Sequence, residues 1–142
     1  MPRDAIRENK LTMLVVIFAL LPLAVGCDDG MDRVKMSGKV IYDGKPVQDG
    51  MIRFMPKPGT ERPLTIEPIK NGLYNTNTSG GVPSGSYKVD IRSFNPDDPI
   101  PMGPGEPERR QLLPAKYNNR TELEITLKPG QKKLEHDFIL EK

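Results

Sequence analysis

From Val34 to the end of the chain, apolar and polar side chains alternate with a period of two, and Gly- or Pro-bearing turns interrupt the pattern roughly every 8–12 residues. Successive side chains of a strand point to opposite faces, so this pattern gives each segment one apolar and one polar face. Short strands of that kind bury their apolar faces by closing into a sandwich or barrel. The segments that fit are Val34–Tyr42, Met51–Met55, Leu64–Ile69, Leu73–Thr76, Ser86–Phe94, Glu122–Leu127 and Leu134–Leu140. The clearest is Ser86–Phe94, with Tyr87, Val89 and Ile91 facing one way and Lys88, Asp90 and Arg92 the other. Pro68 confines Leu64–Ile69 to a sheet edge, because proline cannot donate to a ladder. Asp43-Gly44 and Asn71-Gly72 are hairpin turns, and Gly80–Gly85 is a tight loop. No stretch after residue 33 shows a 3.6-residue apolar period, so helix content should be low. The expected fold is all-β: an antiparallel sandwich of about seven strands.

The first 26 residues obey different rules. Arg3, Arg7 and Lys10 make the start mildly positive against Asp4 and Glu8, and Leu11–Val25 then runs 15 residues without a charge. At ~1.5 Å per residue such a run spans roughly 22 Å as a helix, short of the ~30 Å hydrocarbon core, and Pro22 further weakens it as a span. This is the layout of a secretory signal. Its end, Leu23-Ala24-Val25-Gly26-Cys27, resembles the bacterial lipobox, with Ala24 where the usual form prefers Leu. The thiol of Cys27 is the group that takes diacylglycerol, and several buried acyl methylenes at ~0.8 kcal/mol each anchor a protein without a helix. Cys27 is the one cysteine of the chain, so the fold has no internal disulfide. The expected organisation is a signal peptide over 1–26, a polar tether over 27–33 and a single β domain over 34–142.

Cleavage would remove 26 of the 142 residues and leave 116, enough for one core. Three cations and two carboxylates leave with the signal, so the net charge falls from +2 to +1. So balanced a surface excludes electrostatic binding of nucleic acid. The acids Asp28, Asp29 and Asp32 lack the spacing of a calcium loop and read as part of the solvated tether. Between Asn95 and Leu113 the chain carries Pro96, Pro99, Pro101, Pro104 and Pro107 and few apolar residues, which predicts an exposed, mobile loop.

Several stretches carry a family likeness: Ser37-Gly38-Lys39-Val40-Ile41-Tyr42-Asp43-Gly44-Lys45-Pro46-Val47, Ile52-Arg53-Phe54, Asn71-Gly72-Leu73-Tyr74, Gly81–Val89 and Asp137–Leu140. In that order they resemble the carboxypeptidase regulatory-like family of transthyretin-like (prealbumin-like) β-sandwiches. With Leu113–Asn118 they are similar to the small lipoproteins with this domain found in Planctomycetes. The likeness covers about Val34 to Leu140 and departs in the insert at 95–113. It implies a fold and no chemistry. The transthyretin-like hydroxyisourate hydrolases use several histidines and a C-terminal Tyr-Arg-Gly-Ser, whereas this chain has His136 alone and ends Leu140-Glu141-Lys142.

A catalytic triad or a zinc site would have to use His136, which shares a face with Leu134, Phe138 and Leu140 and reads as a packed or sheet-edge side chain. Tyr74, Tyr87 and Tyr117 read as core edge. Arg109 and Arg110 beside Glu106 and Glu108 form a charged patch of the long loop. Asn77-Thr78-Ser79 and Asn119-Arg120-Thr121 match the glycosylation acceptor, a modification that a bacterial lipobox disfavours. The sequence thus predicts no enzyme, no cofactor and no metal site. It predicts a lipoprotein of the cell envelope, on the periplasmic or extracellular face, whose partners are the membrane through Cys27 and an envelope protein or glycan. The alternative is a carrier for a small ligand or glycan, which by the transthyretin comparison would need a defined oligomer.

Overall fold

A computed structural model describes residues 30–142. The expected signal segment over 1–26 and Cys27 lie outside the described residues. Within them the chain forms a curled, mainly antiparallel sheet. Its strands are β1 (Arg33–Tyr42), β2 (Lys45–Pro46), β3 (Asp49–Pro56), β4 (Thr65–Lys70), β5 (Leu73–Asn75), β6 (Val82–Pro83), β7 (Gly85–Ser93), β8 (Glu124–Leu127), β9 (Lys133–Glu135) and β10 (Phe138–Leu140). One 3-10 turn, Ala115–Tyr117, follows the long loop. The main path runs β10-β1-β5-β4-β3-β7-β8.

The expected strands are all present, and three differences raise their number to ten. Lys45–Pro46 adds β2 against the end of β1. Val82 and Pro83, expected in a loop, pair with Val34 and Arg33 as β6. The closing strand is cut into β9 and β10, and both run parallel to β1 rather than antiparallel. The cut falls where the side chain of Asp137 takes the N–H of Lys39 at 2.7 Å and the N–H of His136 goes to Ser37 O at 2.9 Å. Gly38 makes this possible, since an added Cβ there would overlap the carbonyl oxygen of His136.

Local chemistry sets the turns. Asp43 and Gly44 have φ of 50° and 74°, and Asn71 and Gly72 have 51° and 75°. Two successive positive φ values make the tight turns that match strand twist, and Asp and Asn tolerate the first position as other side chains do not. β4 pairs with β3 over six residues but reaches β5 at Lys70↔Leu73 alone, so Pro68 does lie along an edge. Ile52, Phe54, Val89 and Ile91 from β3 and β7 and Val34, Met36 and Val40 from β1 belong to one buried cluster. Tyr74 sits inside it, its ring 6.4 Å from Phe54 and 5.8 Å from Phe138, and its hydroxyl donates to His136 O at 2.8 Å.

The fold begins earlier than Val34. The carbonyl of Asp32 accepts the N–H of Ser84 at 2.8 Å, and its carboxylate accepts the N–H of Gly130 and the ammonium of Lys132. Those two donors, the backbone one foremost, hold the Asp32 carboxyl below its usual pKa. The end of the expected tether is therefore part of the domain.

Candidate functional site

The alternation of β3 and β7 puts Ile52, Phe54, Val89 and Ile91 inward, so Met51, Arg53, Asp90 and Arg92 share the outer face. Arg53 stands directly opposite Asp90 in the ladder. Asp90, read from the sequence as solvent-facing, is only 1% exposed. It is covered by the guanidinium of Arg53 on one side and that of Arg92, 3.2 Å away, on the other. A carboxylate stripped of water is tolerable there because both partners are cationic donors.

The proline-rich segment folds back over this face. Its outer part is exposed as expected, but its return limb is fixed. Gln111 bridges to Phe94, accepts the N–H of Ser93 at 2.9 Å, and is followed by buried Leu113. Arg109, expected in a solvated patch with Arg110, instead donates to Asp49 at 2.8 Å and to Asn95 O at 2.6 Å, with its guanidinium 4.8 Å from the centroid of the Phe94 ring. Asp49 also receives Lys70, and these two cations, Lys70 foremost, hold its carboxyl below the usual pKa. Beyond the loop the 3-10 turn brings in Asn118, which donates to Leu113 O and Pro114 O at 3.2 and 3.0 Å. Asn119 then accepts from Arg92 at 2.8 Å.

These pieces enclose an open groove of about 620 Å³. Its floor is the β3–β7 face, one wall is the loop through Ile100, Pro101 and Glu108, and the other wall is Asn118 and Asn119. The three arginines of this lining are held by two carboxylates: Asp90 holds Arg53 and Arg92, and Asp49, beside the groove and shared with Lys70, holds Arg109. Among the described residues four buried side-chain polar atoms have no hydrogen-bond partner, and three of them, Arg53 Nε, Arg109 Nε and Gln111 Nε2, belong to side chains lining this groove. All three are donors.

The residues singled out by sequence lie mostly elsewhere. His136 is exposed rather than packed among apolar neighbours, because the break between β9 and β10 turns it outward, edge-on to Phe138 at 4.7 Å. It does not line the groove. Tyr74, Tyr87 and Tyr117 are buried, and Tyr117 ties down the chain end by donating to Glu141 O at 2.9 Å. Of the glycosylation-like triplets, Asn119 is engaged by Arg92. No group of three or more His, Cys, Asp or Glu able to hold a metal occurs among the described residues. No helix among them is long and apolar enough to cross a membrane. Comparisons with protein-family models, with curated proteins and with solved structures find no match to this chain.

Proposed function

We propose that the chain is a non-catalytic lipoprotein of the cell envelope, cut before Cys27 and held on a membrane by lipid on that thiol. Its β domain is a transthyretin-like sandwich that serves as a contact module. The observation that carries this reading is the separation of tether and groove along β7. Ser84, at the entry to β7, is bonded to Asp32. Arg92, on the groove floor, lies eight residues further along an extended strand, about 26 Å away at ~3.3 Å per residue. Asp32 follows Cys27 by five residues, at most ~18 Å of chain. A lipid on Cys27 would hold one end of the sheet against the bilayer and leave the groove at the end that faces away. The single buried cluster shared by the β1 and β3–β7 halves, joined through the short β4–β5 link, supports the sandwich reading.

The test is metabolic labelling with palmitate in a bacterial host, followed by membrane fractionation. The wild-type chain should be labelled and membrane-bound. Cys27→Ser should carry no label and accumulate uncut. A Cys27→Ser protein that is still acylated and processed would end the lipoprotein reading.

A second reading, a module that binds a small ligand or glycan, is favoured by one observation. The unpartnered buried donors gather at a single groove. That groove is complete within one chain, so this reading needs no oligomer.

A further inference from the structure

We propose that the groove binds an acidic sugar, a carboxylate-bearing pyranose of the uronic-acid class. This rests on the ligand-binding reading above and names its chemistry.

The charge balance comes first. Three arginines line the groove against Glu108 in its loop wall, the buried Asp90 beneath them offsets one more charge, and Asp49 is matched by Lys70 outside the lining, which leaves one positive charge over. A positive surplus in the groove suits an anionic ligand. Guanidinium groups present paired N–H donors in a plane, the geometry that carboxylates accept best. Arg53 and Arg92 lie on the groove floor and already hold one carboxylate, Asp90, through Arg53 Nη2 and through Arg92 Nε and Nη2.

The remaining polar groups fit hydroxyls. Glu108 is an acceptor that a bare carboxylate cannot use, but a sugar O–H can donate to it. The exposed amide of Asn119 on the opposite wall offers an N–H donor to a hydroxyl. Gln111 Nε2 is one of the donors without a partner, so an added acceptor would satisfy a group now buried at a cost. Met51, Ile100 and Pro101 supply apolar surface for the C–H face of a pyranose ring. A peptide carboxylate would leave most of this hydroxyl-matching set unused.

The test is calorimetric titration of the full chain in detergent with three probes: a galacturonate trimer, neutral maltotriose and inorganic phosphate. The acidic trimer should bind at least tenfold more tightly than maltotriose, with affinity falling as salt is raised, and phosphate should compete poorly. Arg92→Gln should weaken the acidic trimer at least tenfold. Lys88→Gln, on the same strand but outside the groove, should leave it unchanged. Replacing Pro99–Glu108 with a short Gly-Ser bridge should abolish binding while the thermal midpoint stays within a few degrees, because loop-closure entropy varies weakly with length. Equal binding of maltotriose would overturn the carboxylate assignment and leave a neutral-glycan groove. Phosphate binding as tight as the trimer would overturn the sugar assignment. Absence of binding by any probe to a folded, lipid-labelled protein would overturn the proposal and leave the contact module standing.

Discussion

The hydroxyl of Tyr87 donates to the carbonyl oxygen of Pro83, four residues upstream, at 2.7 Å. Both residues are buried, so the bond closes the corner by which the chain enters β7. Tyr87→Phe keeps the ring and leaves the Pro83 carbonyl without its partner. We expect a loss of about 1–2 kcal/mol in urea unfolding with no change in the slope of the transition. An unchanged midpoint would mean that solvent reaches that carbonyl.

Gly38 lies where β1 meets the break between β9 and β10, and an added methyl would collide with backbone rather than with a yielding side chain. Gly38→Ala should therefore cost on the order of 3 kcal/mol, although alanine suits a strand at least as well as glycine. Hydrogen exchange should place the damage in Lys133–Leu140. Protection lost evenly over the whole sheet would contradict this.

Glu67 points inward with Thr65 and Ile69, is 3% exposed, and its Oε1 has no partner. A buried carboxyl in that state is a liability that an apolar side chain of similar length removes. Glu67→Met is expected to raise stability by about 1–3 kcal/mol in thermal or urea unfolding. A fall in stability would show that the carboxyl holds a contact the fold needs.

Asp49 anchors the return limb of the proline-rich loop through Arg109, and its pKa is lowered by Lys70 first and Arg109 second. A lowered folded pKa means stability that is present above the ordinary value of 3.8 and is lost as pH falls through the folded value. Asp49→Asn should thus be less stable than wild type at pH 7, by on the order of 1–2 kcal/mol. The difference should close as the pH falls below 3.8 and through the lowered folded value. A gap that persists to the most acidic pH at which both fold would point to geometry rather than charge.

Strand positions were legible wherever one face is buried and the other wet, as in β1, where Val34, Met36 and Val40 alternate with exposed Lys35, Ser37 and Lys39. The two positive-φ hairpins were legible for a local reason too, since Asp-Gly and Asn-Gly are the pairs that accept that backbone. The groove was not. Asp90 occupies an outward position of its strand and has the side chain expected there. Its burial comes from Arg53, which lies 37 residues away, and from the walls above it. Arg109 looks like one more loop charge until Asp49, 60 residues earlier, is beside it. The direction of β9 and β10 was hidden likewise, because parallel and antiparallel strands of this length carry the same alternation.

β1 pairs with β2, β5, β6, β9 and β10, and two of these come from the last ten residues of the chain. During synthesis the first strand therefore waits for two of its five neighbours until nearly the whole polypeptide has been made. Closing so many distant pairings slows folding and keeps the nascent chain open for longer. For the exported precursor proposed above, that delay would be an advantage. It would keep part of the chain loose enough to cross, with the sheet completed only when the C-terminus has followed.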